Sequence, residues 1–394
     1  MTRPATFLHR LPLMDAIKAA GCLAIVAHHL AFYGPMSDVA YPLSHPLFDW
    51  LYAYGRMAVQ AFLVVGGFLC AMQWGVQFGA PSGPQWHSPA QPDRQLQSPP
   101  RWPPRPATSA PWRAIGKRYL RLVVPLAAAL TLAILCNAIA RRWMTHDSIS
   151  AVPNPWQLVA HVFFLQDLVD QEALSAGVWY LAVDFQLFTM MALMLAITAR
   201  AGIPGMGIVA IAGLTWASLI AFNRDDLWDE TGLYYLAYYG LGALVCWATD
   251  PGVRRPPVWL ALMLACVVAA LLVDFRSRIV VAAVVAGLLA WARLSGGLTR
   301  WQMPDIVSWL GRISFSIFLV HFPVCLVINA AVARFLPATP LVNAMGLVLA
   351  FLCSIAAGAV FFRLFEGRRF TAWGQGGVVG LFFAVGLAAW RLGW

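Results

Sequence analysis

Ionisable side chains inside a long apolar run are costly, so the few that stand there mark places where a partner or a reaction compensates them. The first apolar run of this chain holds four: Asp15, Lys18, His28 and His29. Lys18 and His29 are eleven positions apart, about 1100° of helical rotation and about 20° from three whole turns, with a rise of about 16 Å. They share one face at two depths. His28 falls about 80° to the other side of Lys18 and points elsewhere. Asp15 precedes Lys18 by three positions, a spacing at which an ion pair lowers the cost of the charge. Neutral imidazole is suited to proton transfer near neutral pH. The plain alternative is a snorkelling lysine and a histidine bonded to a neighbouring helix.

Further along, Arg118 and Arg121 stand on one helical face at the start of another run. Paired guanidiniums suit bidentate phosphate binding, although such clusters also anchor helices to anionic lipid. Asp184 and Gln186 follow Trp179 a few residues into a later run, and an aspartate there needs a wet cavity or a cation. His321 stands mid-run two residues before Pro323, which frees a backbone carbonyl. Glu366 beside Arg368 and Arg369 reads as an interfacial ion pair. The seven cysteines lie in or at the ends of apolar runs with no C-x-x-C pair, which points to neither a disulfide framework nor a metal site.

The elements that position these residues are helices in a bilayer. The chain is 60% hydrophobic and only 11% charged over 394 residues. A soluble core does not accommodate that mixture. Runs such as 207–222, 258–273 and 279–292 are apolar on every face, whereas a transmembrane barrel needs short alternating strands. The sequence predicts an all-α, polytopic transmembrane bundle. Ten spans are expected at 15–33, 48–74, 118–140, 177–199, 204–222, 231–248, 258–273, 279–293, 307–333 and 341–363, with a possible eleventh at 377–390. Residues 1–376 are expected to form the membrane domain and 377–394 a C-terminal apolar segment.

The net charge of +10 follows the loops and marks no nucleic-acid face. With the amino terminus inside, cytoplasmic flanks collect Arg3, Arg10, the basic residues from Arg94 to Arg118, Arg200, Arg254, Arg255, Arg300, Arg312, Arg368 and Arg369. The other side receives Arg141, Arg142, Arg224, Arg276, Arg278 and Arg334, mixed with acids. The Pro-, Gln- and Ser-rich stretch at about 79–113 reads as a disordered cytoplasmic loop. Residues 155–166 are too short to span and read as a re-entrant or interfacial helix beside an acceptor site. No cleavage site ends the first run, which reads as a retained helix.

The ordered set of motifs resembles the bacterial integral-membrane acyltransferase family 3, from about Leu11 to Phe370. Met14-Asp15-Ala16-Ile17-Lys18 with His29 resembles the family's first-helix element. Phe62 to Leu69 resembles Phe-x-x-x-Ser-Gly-Phe-Leu with Gly66 for the serine, and Arg118-x-x-Arg121-Leu-x-x-Pro125 the basic element. Trp179-x-Leu181-x-x-Asp184-x-Gln186 resembles Trp-x-Leu-x-x-Glu-x-Gln, and Ser314-Phe315-Ser316 through His321-x-Pro323 the late Ser-Tyr-Ser…His-x-Pro helix. Glu366-Gly367-Arg368 lacks the proline of the family's Glu-Lys-Pro ending.

The resemblance implies a multi-pass protein of the bacterial cytoplasmic membrane that moves acetyl or another short acyl group from acyl-CoA to a hydroxyl of a glycan or lipid-linked saccharide. Acyl-CoA is then a co-substrate, with no permanently bound cofactor and no metal. Lys18, Arg118 and Arg121 are expected to hold the CoA phosphates, and His29, with Lys18 and Asp184, to serve catalysis. His29 acts either as general base or through a covalent acyl-histidine. Trp179, Gln186 and His321 are expected on the substrate. The rival is a transporter or flippase that uses the same Lys and His as a proton relay, although no two-fold internal repeat is evident.

Overall fold

The computed structural model describes residues 11–74, 111–201, 203 and 205–394. These residues form helices and no strand: α1 Pro12–Phe32, α2 Pro35–Ala40, α3 His45–Tyr54, α4 Ala58–Trp74, α5 Pro111–Trp143, α6 Pro155–Val162, α7 Val178–Arg200, α8 Met206–Ile220, α9 Gly232–Ala248, α10 Pro256–Val273, α11 Ser277–Leu294, α12 Gly297–Arg300, α13 Asp305–Phe335, α14 Pro340–Phe361 and α15 Ala372–Leu392. Ten segments of 18 residues or more are apolar enough to cross a membrane. They include α15, which fills the place of the possible eleventh span. The ten do not include α9, which has 17 residues. Its length is still about 26 Å at the helical rise. All eleven expected runs are therefore helical, and the chain is a multi-pass helical membrane protein. The expected loop at 79–113 lies outside the described residues up to position 110, and 111–113 already belong to α5.

Helices prevail because lipid offers no partner to a backbone amide, so each run must close its own hydrogen bonds. Burial then sorts the helices. The apolar windows of α5 and α13 are 72% buried, against 11% for α10 and 17% for α15, which face lipid. Helix α9 is buried along nearly its whole length against α4 and α8. Helices α3 and α4 run on as one segment of 30 residues, His45–Trp74. It measures about 45 Å, more than a hydrocarbon core of about 30 Å. Helix α3 has no buried residue, although its Leu51 carbonyl lies 2.9 Å from His28 Nδ1 of α1.

Helices α1 and α13 lie parallel, and their register positions the chemistry. Cys22 Sγ donates to the Ser314 carbonyl at 3.2 Å, His29 Nδ1 meets His321 Nε2 at 2.6 Å, and beyond α1 the Met36 amide donates to Asn329 Oδ1 at 3.1 Å. Near their start, Gly311 rests on the Asp15 backbone so closely that any Cβ there would collide with it.

The segment expected to be re-entrant forms α6, opened by an Asn154–Gln157 capping box. Leu158 packs on Gly386 of α15, and the Val162 carbonyl accepts from Tyr119 of α5 at 3.1 Å. The helix is thus lodged among longer ones with Trp156 and Phe163 exposed. The chain then reverses through Phe164, at φ 57, and returns to α7. His161 ties the two arms: Nδ1 donates to the Gln157 carbonyl at 2.8 Å, and Nε2 accepts from the Leu174 amide at 3.1 Å.

Candidate functional site

Two regions gather the ionisable residues, one at the His29 end of α1 and one toward its Lys18 end. At the first, His321 is fully buried and His29 nearly so. The protonation pattern follows from the partners. His321 Nδ1 lies 2.7 Å from the Phe318 carbonyl. A carbonyl can only accept, so this nitrogen carries the proton. In the neutral ring Nε2 is then a lone pair. It accepts from His29 Nδ1–H at 2.6 Å. Nε2 of His29 is left as the basic atom of the chain. Pro323 removes the N–H that would bind the Leu319 carbonyl, and it is the neighbouring Phe318 carbonyl that His321 engages.

Aromatic rings close this site. Tyr33 stands edge-on to His29 with centroids 5.3 Å apart, Phe322 packs on both at 6.4 and 5.0 Å, and Tyr180 meets Phe318 at 5.5 Å. Gly177, which caps α7 at φ +84, brings the backbone against the imidazole. A Cβ there would sit 3.0 Å from Phe318 and 3.7 Å from His29 Cε1. No residue but glycine combines that approach with that φ. His28 turns away, its Nδ1 bonded to the Leu51 carbonyl at 2.9 Å.

The second region is an open cleft of about 340 Å³ lined by Gln73, Trp74, Arg113, Ala114, Lys117, Arg118, Arg121 and Phe188. Its four cations all come from α5, and the α4 and α7 residues supply aromatic walls. Pro125 deletes the helical hydrogen bond to the Arg121 carbonyl, so the ladder is interrupted at the cleft's edge. Arg118 pairs with Asp184 at 2.5 Å and lies over the Phe188 ring at 5.5 Å. Two N–H groups here, Trp74 Nε1 and Arg118 Nε, are buried without an acceptor among the described residues. Orphan donors beside unpaired guanidiniums make a site that an anion completes.

Lys18 stands on α1 eleven residues before His29. It pairs with Asp15 at 3.8 Å, and the charges of Arg121 and Glu366 both reach it. Glu366 does not pair with Arg368 or Arg369 as expected. Its Oε2 accepts from Ser316 Oγ at 2.6 Å.

The structure therefore joins His29 to His321, and Arg118 and Arg121 to one cleft, and gives the other expected residues different partners. Asp184, expected to serve catalysis, is engaged by Arg118, because a buried carboxylate needs a cation more than it needs access. Gln186, expected on substrate, accepts from the Gly232 amide at 2.7 Å and donates to the Glu230 carbonyl at 3.5 Å, tying α7 to the start of α9. Trp179 packs on Tyr235 at 5.4 Å. His321, also expected on substrate, has both ring nitrogens engaged, one by His29 and one by the Phe318 carbonyl. Sequence reading missed Trp74, Phe188 and the duty of Glu366. Only the position of Trp74 at a span end gave a signal.

The bundle is that of a polytopic membrane protein with a buried histidine pair held between two of its helices. Residues 12–362 match the acyltransferase family 3 model, described as an acyltransferase domain. The chain belongs to that family and is a membrane acyltransferase. No curated protein and no solved structure matches it.

Proposed function

We propose that the protein transfers acetyl, or another short acyl group, from acyl-CoA to a hydroxyl of a glycan or glycolipid, in the bacterial cytoplasmic membrane with its amino terminus inside. The observation that carries this reading is the hydrogen-bond chain from the Phe318 carbonyl through His321 to His29, which leaves one lone pair at His29 Nε2. That nitrogen takes the acceptor hydroxyl's proton as its oxygen attacks the thioester carbonyl. The C–O bond forms, the C–S bond breaks, and the imidazolium returns the proton to the departing CoA thiolate. His321 holds the imidazole in the required tautomer and accepts part of the developing positive charge through its Nε2.

The basic cleft is the natural seat for the CoA phosphates. Arg113, Lys117 and Arg121 supply charge, Trp74 and Phe188 supply faces for the adenine, and the pantetheine arm extends past Lys18 toward His29. Binding and chemistry then occupy the two ends of the eleven-residue Lys18–His29 spacing.

The test is transfer of labelled acetyl from acetyl-CoA into the glycan and lipid fractions of membranes carrying the intact protein or His29→Ala at equal expression. Label with the intact protein and none with the variant is expected. Full label with His29→Ala overturns the assignment of the base. No label in either fraction from the intact protein overturns the proposed donor and acceptor pair.

A further inference from the structure

Glu366 closes a π turn, Phe362–Glu366, at the end of α14. Such turns are rare and occur frequently at functional sites. Its carboxylate is fixed by Ser316, a fully buried residue of α13. It makes no direct ion pair among the described residues. The turn that carries it packs against α5, the helix of Arg121, and against α13, and the cations whose charge reaches it are Arg121 and Lys18. Arg121 is exposed, lines the basic cleft and has neither a hydrogen bond nor an ion pair among the described residues. A carboxylate pinned near two cations without touching either adds little cohesion to the fold. It lowers the positive potential that those cations present to an incoming anion.

We infer that Glu366 is the counter-charge that sets how tightly the cleft holds the CoA phosphates. The inference rests on the reading of the cleft as the acyl-CoA seat. With three cations facing the phosphates and no nearby anion, the product CoA would be held as firmly as the donor and would leave slowly. A fixed negative charge behind Arg121 and Lys18 weakens both complexes without occupying the phosphate positions. The serine hydrogen bond keeps the carboxylate from swinging onto Arg121, which stays free for the ligand.

The experiment is equilibrium binding of CoA itself to the purified full-length protein in detergent, for the wild type, Glu366→Gln and Glu366→Asp. Glutamine keeps the acceptor for Ser316 and removes the charge, whereas aspartate keeps the charge. Glu366→Gln is expected to bind CoA roughly three- to tenfold more tightly at low ionic strength, the size of a unit-charge effect felt across a partly screened boundary. The gain should shrink as salt is raised, and Glu366→Asp should bind as the wild type does. A merely structural role for Glu366 loosens binding or leaves it unchanged, so equal or weaker binding by Glu366→Gln overturns the inference. Tighter binding that persists at high salt overturns it too, because the cause is then not charge. A wild type that binds no CoA overturns the cleft reading itself, and the role of Glu366 falls with it.

Discussion

The histidine site and the basic cleft solve opposite problems within one bundle. His29 and His321 are 292 positions apart in sequence, lie among aromatic rings and carry no formal charge in the neutral pair. The cleft residues Arg113, Lys117, Arg118 and Arg121 come from neighbouring turns of one helix and line an opening to solvent. A reacting base needs a dry, fixed environment in which its tautomer is dictated by neighbours. A phosphate site needs concentrated positive charge, which is tolerable only where water reaches it. On the proposed reading, the protein thus keeps charge out of the place where protons would move. It sets its most buried carboxylate ion pair among the described residues, Arg118–Asp184, at the cleft instead.

Removing the base itself tests the contrast most severely. His29→Ala is expected to lower acyl transfer by about 10² to 10⁴-fold, the usual contribution of general acid–base catalysis, with the KM for acyl-CoA little changed. Initial rates in membranes check this, and an acid quench that traps acylated protein would replace the base with an acyl-histidine. His321→Gln should cost about 10 to 100-fold in kcat at unchanged donor KM, since outer hydrogen-bond partners of reactive groups typically contribute that much. A pH profile of kcat that shifts with the substitution distinguishes tautomer control from packing.

The Arg118–Asp184 pair comes next. Arg118→Ala leaves Asp184 buried without its cation. It is expected to destabilise the protein by about 3 kcal/mol, the low end for a broken buried pair because Arg118 is partly exposed. Adding Asp184→Asn should restore much of the thermal midpoint. A double variant as unstable as Arg118→Ala would contradict the pairing. At the open end, Arg113→Ala and Lys117→Ala should each raise the KM for acyl-CoA by about three- to tenfold, an effect that fades as salt rises. A salt-independent change would take these cations off the phosphates.

A further expected effect, outside the two sites, concerns the α6 arm. Burial pushes the His161 pKa down to about 4, and the bond to the Gln157 carbonyl opposes this only in part. The unfolded ring titrates near 6.5, so the unfolded chain binds the proton first as pH falls. The stability supplied by neutral His161 is complete above that value and is lost between about 6.5 and 4, amounting to about 2 kcal/mol by pH 5. Thermal midpoints of the wild type should therefore fall more steeply across this window than those of His161→Gln.

Much of the fold is legible in the chain because a bilayer leaves few choices. Every expected run is helical, down to the weak one at 377–390. The separation of His28 from His29 follows from helical geometry alone, and the structure turns His28 to Leu51. The site was legible only as isolated residues. In a membrane bundle the interior and the lipid are equally apolar, so the pattern of a run does not say which helix it meets. Asp184 is expected to serve catalysis and Gln186 to meet substrate, and each has a partner in the bundle that sequence spacing cannot indicate, Arg118 in one case and the Gly232 amide in the other.

Composition and the pitch of single helices suffice to establish that the protein crosses the membrane many times, where the spans lie, that Lys18 and His29 share a face and that Arg118 and Arg121 stand together. Three further facts had to wait for the packed bundle: His321 fixes the tautomer of His29, Asp184 neutralises Arg118, and Trp74 and Phe188 line the cleft of the cations while Glu366 is held by Ser316. Those are contacts between different helices, chosen by the parallel packing of α1 on α13 and by close approaches such as Gly311 on Asp15, and no periodicity within one run encodes its neighbour.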